Sequence, residues 1–116
     1  MTQQIFNYRI YSIVYDDIKN GKKNIEFRLL NEKTERITNG DIIKFSVVDE
    51  ENKSVIVRVI DKIVYDNLEQ LWNDKSSIEN NILEYKKEEF INAFNNIFGK
   101  DKVDNSKIVG IKFELV

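Results

Sequence analysis

Apolar positions recur along the chain with two periods. Ile5 to Ile10 reads as a short strand. From Ser12 to Asn20, Ile13, Val14 and Ile18 fall at helical spacing, and Gly21 supplies a stop. Asn24 to Leu29 alternates: Ile25, Phe27 and Leu29 share one face, and Asn24, Glu26 and Arg28 share the other. The turn Thr38-Asn39-Gly40-Asp41 leads into a strand over Ile42 to Val48. Asp49 to Lys53 is polar and reads as a hairpin loop. Val55 to Tyr65 is β-branched and almost continuous, which predicts a long strand buried for part of its length. Asp66 with Glu69 resembles a capping box ahead of Leu68, Leu71 and Trp72, and Ser76-Ser77-Ile78-Glu79 repeats the signature. Phe90, Ile91, Phe94, Ile97 and Phe98 form an amphipathic stripe that Gly99 closes; residues 77–98 fit one helix or two. Ile108 to Val116 alternates as a terminal strand. Ile25, Phe27 and Leu29 are expected to pack against Ile43, Phe45, Val57 and Val59. Strands at both ends and in the middle, with helices between, imply an α+β fold around a mostly antiparallel sheet or small barrel.

The 116 residues make one domain, 1–116. The chain has no His, Cys or Pro. Ser-His-Asp and Cys-His catalysis are therefore excluded, as are the usual zinc sites, and no metal or other cofactor is expected. Disulfides cannot form, which fits a reducing compartment. No apolar run approaches the ~20 residues of a membrane span. Met1 to Tyr11 lacks the layout of a signal peptide, so a cytoplasmic protein without a membrane partner is expected. Seventeen Ile, fourteen Asn and an excess of Lys over Arg suggest an AT-rich bacterial genome. The net charge of −2 argues against bulk electrostatic capture of nucleic acid, but a small basic cluster can still grip one phosphate.

Such a cluster lies in Gly21-Lys22-Lys23-Asn24-Ile25-Glu26-Phe27-Arg28. A helix ends at a glycine, two lysines sit at the mouth of the turn, and Glu26 and Arg28 project from one strand face about 7 Å apart. Arg28 offers a planar fork to a phosphate or base edge, and Glu26 can accept from a base amino group. Two readings stand: a solvated strand face with an ordinary Glu–Arg pair, or a small polar ligand site.

The same stretch, through Leu29, resembles the G-x-K-x-x-E-x-R-L signature of ASCH domains, a branch of the PUA-like superfamily. Ile37 to Phe45 resembles the family's I-x-x-G-D-x-I-x-F segment, Tyr65 to Leu71 its Y-x-S-F-E-E-L segment, Tyr85 to Glu89 its tyrosine-containing helix start, and Ile108 to Ile111 its closing V-V-G-I strand. The ordered set covers most of the chain. The resemblance implies a PUA-like small β-barrel with helices across its openings and a pocket around the lysine-to-arginine strand. It also implies binding of RNA, a nucleotide or a modified nucleoside, with Lys22, Lys23, Glu26, Arg28 and Tyr65 as ligand-binding residues. One bacterial branch hydrolyses N4-acetylcytidine with a lysine, a threonine and a glutamate. Lys23 matches the lysine, Glu26 stands at the threonine position, and Glu69 and Glu79 are loose matches to the third residue. The alternative function is thus a small amidohydrolase with Lys23 and Glu26 as its catalytic pair; a second alternative is a protein-interaction domain.

Other features read as structural. Gly40-Asp41 is turn chemistry. Trp72 and the Phe90, Phe94, Phe98 stripe are packing. Tyr65 either stacks on a base or caps the core. Arg58, among Val and Ile, faces a pocket or solvent.

Overall fold

Five short helices and five strands lie within residues 3–74 and 86–116, the part of the chain that the computed structural model describes. The strands are β1 (Ile5–Ile10), β2 (Ile25–Leu29), β3 (Ile42–Val47), β4 (Glu50–Tyr65) and β5 (Ile108–Leu115). The helices are α1 (Ser12–Lys19), α2 (Glu32–Glu35), α3 (Leu68–Trp72), α4 (Lys87–Phe98) and α5 (Lys100–Asp104). The sheet runs β1-β3-β4-β5-β2 and curls into a half-barrel. Only β1–β3 is parallel; the other three pairings are antiparallel. The expected α+β class and mostly antiparallel sheet are what the chain forms.

β4 carries the curl. Its first half pairs with β3 and its second half with β5, and an irregularity between Val59 and Asp61 shifts the register between them. A bulge of this kind bends a strand and raises its twist. β1 and β2 are left as the two edges of the sheet.

The sheet buries a separate cluster on each face. Phe45, Ile43, Val57, Val59, Ile111 and Phe113 belong to the first. Ile25, Phe27, Tyr65, Leu71, Phe90 and Phe94 belong to the second, which joins the sheet to α3 and α4. The alternation of β2 is as expected, but its partners are not. Ile25 and Phe27 pack in the second cluster rather than against Ile43, Phe45, Val57 and Val59. Register explains the inversion: Glu26 stands beside Ile111 of the first cluster, whereas Phe27 stands beside Gly110 on the face covered by helices. Alternation decides which residues share a face, not which layer covers it.

Three local expectations also shift. The β3–β4 hairpin turns at Val48-Asp49, with Asp49 at φ 68°, and β4 already begins at Glu50; the polar stretch 51–53 falls where pairing jumps from Ser46–Ser54 to Val47–Glu50. The cap of α3 is Asn67, whose side chain accepts from the Gln70 N–H, not Asp66. Helix α2 is additional, and its capping box joins Asn31 to Thr34. The Ser76 to Glu79 signature and Tyr85 lie outside the described residues. No helix among the described residues is long and apolar enough to cross a membrane.

Candidate functional site

Helix α1 delivers the lysines. Gly21, at φ 75°, turns the chain out of the helix, and the backbone N–H groups of Lys22 and Lys23 both donate to the Asp17 carbonyl, at 2.9 and 3.1 Å. A left-handed residue there favours glycine. β2 then starts four residues later, with Glu26 and Arg28 on one face.

Glu26 is the centre of the site. Its side chain is only 8% exposed as a residue, and a carboxylate at such depth needs compensation. Lys23 Nζ lies 3.3 Å from Oε1, and Arg28 Nη2 lies 3.2 Å from Oε2, so each oxygen faces its own cation. Arg28 Nη2 also donates to the Arg9 carbonyl at 3.2 Å, and its guanidinium carbon sits 4.6 Å from the centre of the Tyr8 ring. Arg28 thereby bridges the two edge strands, β2 and β1. Both of its hydrogen bonds use Nη2; Nε and Nη1 make none among the described residues.

These groups form the polar end of a cleft of about 430 Å³ between α1, β2 and α4. Arg9, Lys22, Lys23 and Arg28 set four positive charges against Asp17 and Glu26, a local balance of 4 − 2 = +2 in a chain of net charge −2. The other end is apolar, with Ile13 and Val14 of α1 facing Phe90, Phe94 and Phe98 of α4. The phenylalanine stripe is therefore packing and cleft wall at once: Phe90–Phe94 and Phe94–Phe98 ring centres are 5.9 and 4.7 Å apart.

Lys22, Lys23, Glu26 and Arg28 are thus brought together. Tyr65 is not with them. It is 4% exposed in the second cluster, and its hydroxyl donates to Asp74 at 2.5 Å. Of the glutamates matched to a third catalytic position, Glu69 pairs with Lys87 on the surface, and Glu79 lies outside the described residues. Arg58 faces solvent, 3.3 Å from Glu114 across β4 and β5. Asp41 is buried and accepts from the Thr38 and Gln4 backbone N–H groups, so the turn reading of Gly40-Asp41 holds. No group of residues that could hold a metal ion occurs among the described residues. Tyr8 and Arg9 carry no signal of their own in the sequence; only the approach of β1 to β2 places them at the site.

No family model matches the chain, and no curated protein matches it significantly. Solved structures do. The hypothetical protein PH0355 is 29% identical, with a TM-score of 0.82 over 97% of this chain and 100% of that one. Protein PF0455 from Pyrococcus furiosus is 28% identical, with a TM-score of 0.73 over 99% and 98%. An ASCH domain from Lactobacillus crispatus is 14% identical and superposes over 97% of this chain and 79% of that one, with a TM-score of 0.70. The fold is that of an ASCH domain. Within this ASCH fold the motifs take complementary places. Gly21 to Leu29 forms the charged wall of the cleft, Ile37 to Phe45 supplies the Asp41 turn and β3, and Ile108 to Ile111 is the β5 segment paired with β2.

Proposed function

We propose that this domain binds a nucleotide, or an exposed nucleotide of single-stranded RNA, in the cleft over Lys23, Glu26 and Arg28. The observation that carries the reading is the state of Arg28. Its guanidinium is held by Glu26, the Arg9 carbonyl and the Tyr8 ring, while Nε and Nη1 keep their donor capacity in a cleft of net positive charge. With Nη2 taken on both of its edges, the remaining Nε–H and Nη1–H groups diverge, and each offers a separate, pre-oriented contact to a phosphate oxygen. Lys22 and Lys23 add attraction, and the apolar wall suits the flat face of a base. The test is thermal stabilisation across a panel of nucleosides, nucleotides and short RNAs. A ligand at ~100 times its dissociation constant should add about 2.7 kcal/mol. Absence of a shift with every member of the panel would end the proposal.

The Lys23–Glu26 contact at 3.3 Å supports a second reading, an amidohydrolase acting on an acylated nucleobase amine. A lysine beside a carboxylate can orient water for attack. Incubation with N4-acetylcytidine and chromatography of the products decides it. Equal, slow release of cytidine by wild type and Glu26→Gln would remove Glu26 as the base.

A further inference from the structure

The underside of Arg28 holds a second group of cations. The Tyr8 ring that carries the Arg28 guanidinium at 4.6 Å also carries the Lys33 ammonium at 3.9 Å. Lys33 donates to the Asn7 carbonyl just as Arg28 donates to the Arg9 carbonyl, so the two side chains grip alternate carbonyls on the free edge of β1. Arg36 is near enough for its charge to act on both Tyr8 and Lys33. Among the described residues neither Lys33 nor Arg36 makes an ion pair, and both oxygens of Glu26 already face Lys23 and Arg28. Burial lowers the pKa of Lys33, and the charges of Arg28 and Arg36 lower it further. Lys33 and Arg36 lack an ion-pair partner among the described residues and stand near the Arg28 guanidinium, whose one carboxylate is shared with Lys23; an anion placed among them relieves their mutual repulsion.

We propose that Arg28 and Lys33, seated on Tyr8, form with the nearby Arg36 a second anion subsite continuous with the cleft through Arg28. The ligand class is then a nucleotide carrying two phosphates, one on each side of Arg28, as at a phosphodiester step of a single strand. The inference rests on the nucleotide reading of the cleft and narrows it.

The experiment titrates a nucleoside 5′-monophosphate and the matching 3′,5′-bisphosphate into wild type and into the double variant Lys33→Met/Arg36→Gln, by calorimetry. Methionine keeps an unbranched stem over Tyr8; Lys33→Gln/Arg36→Ala serves as a second variant, and thermal midpoints verify folding. Wild type should bind the bisphosphate at least ~10-fold more tightly. Both double variants should lose that advantage while holding the monophosphate within about twofold of wild type. Equal affinity of wild type for the two ligands overturns the second subsite and leaves the cleft reading standing. So does a double variant that keeps the bisphosphate advantage. Binding of neither ligand overturns both. Bisphosphate binding that depends on Lys33 and Arg36 but is indifferent to Lys23→Gln supports the second subsite and sinks the cleft.

Discussion

Phe27 lies against Gly110 across the β2–β5 pairing, so closely that a methyl group on Gly110 would stand 3.2 Å from Phe27 Cε1 and 3.2 Å from Ile25 Cδ1. The glycine is there for lack of a side chain, not for its backbone freedom. Phe27 shares its buried cluster with Phe90 and Phe94, and any shift of its ring must be taken up there. Replacing glycine in a strand normally adds about 0.4–1 kcal/mol through the unfolded state, while overpacking costs about 1–3 kcal/mol. Gly110→Ala should therefore lower stability by about 1–2 kcal/mol in urea denaturation. A variant as stable as wild type would mean that the ring can shift.

The same contact places Phe27→Ala. The loss should be about 3–5 kcal/mol, as for a large aromatic in a well-packed site. The damage should fall on α4, since Phe27 shares a cluster with Phe90 and Phe94. Hydrogen exchange of the variant should quicken over Lys87–Phe98 more than over β3. Preferential loss of protection in Ile42–Val47 would restore the arrangement that the alternation suggested.

How far the fold is legible in the sequence follows from these residues. The period of two in β2 and the stripe on α4 are local properties, and both elements form where they are expected. The covering layer is not local. Whether Phe27 meets Phe45 or Phe94 depends on β2 pairing with β5 at the sheet edge, and no spacing in the sequence encodes that. The site divides in the same way. Lys22, Lys23, Glu26 and Arg28 sit within seven residues on one turn and one strand, so the cluster is readable. Tyr8 and Arg9 reach it only through the approach of two edges. Tyr65 looks like a pocket aromatic because it ends a long strand, but the helical layer of the second cluster closes over it. Helix α2 escapes notice because its capping box uses Asn31 and Thr34 instead of the Ser/Thr–Glu pair.

Glu26 and Arg28 give separable outcomes. Glu26→Gln leaves Lys23 and Arg28 without their shared counter-charge in a largely buried place, and one amide hydrogen pair then faces a cation. The cost should be about 1–3 kcal/mol of stability, below the range for a fully buried pair because the lysine and arginine keep part of their exposure. Arg28→Lys keeps the charge but cannot reach Glu26 and the Arg9 carbonyl together while stacking on Tyr8. Nucleotide affinity should fall at least ~10-fold with a smaller loss of stability. Wild-type binding by both variants would refute the pocket.

Asp41 predicts an acid limb to the stability curve. Burial pushes its pKa up, but hydrogen bonds from Thr38 and Gln4 outweigh burial and hold it below the ordinary value of 3.8. In the unfolded chain Asp41 takes up a proton near that ordinary value, while the folded carboxylate is still ionised. Its contribution is therefore complete above the ordinary value and declines as pH falls through the lowered folded one. Asp41→Asn also turns an amide toward the donors that Oδ2 serves, from Thr38 and Gln4. The variant should be less stable at neutral pH and should show a shallower decline between pH 5 and about pH 2. An unchanged acid limb would assign the decline to other carboxylates.

The positive charge of the site is local. The cleft carries +2 inside a chain of −2, so the remaining residues sum to −4. A ligand confined to the cleft and the adjoining Lys33 and Arg36 meets attraction, whereas a long strand laid across the rest of the surface meets net repulsion. Binding should depend weakly on salt, because few condensed counterions are released. One phosphate of a single strand contributes about −0.7 to the log–log slope, and two contribute about −1.4. Lengthening an RNA from two to twelve nucleotides should therefore raise affinity only by the statistical gain of extra sites and leave the slope unchanged. Titrations between about 50 and 200 mM salt, with fluorescence anisotropy of both RNAs, measure this. A slope of about −4 for the longer RNA would correspond to six phosphates, and it would place the nucleic acid along an extended surface rather than in the cleft.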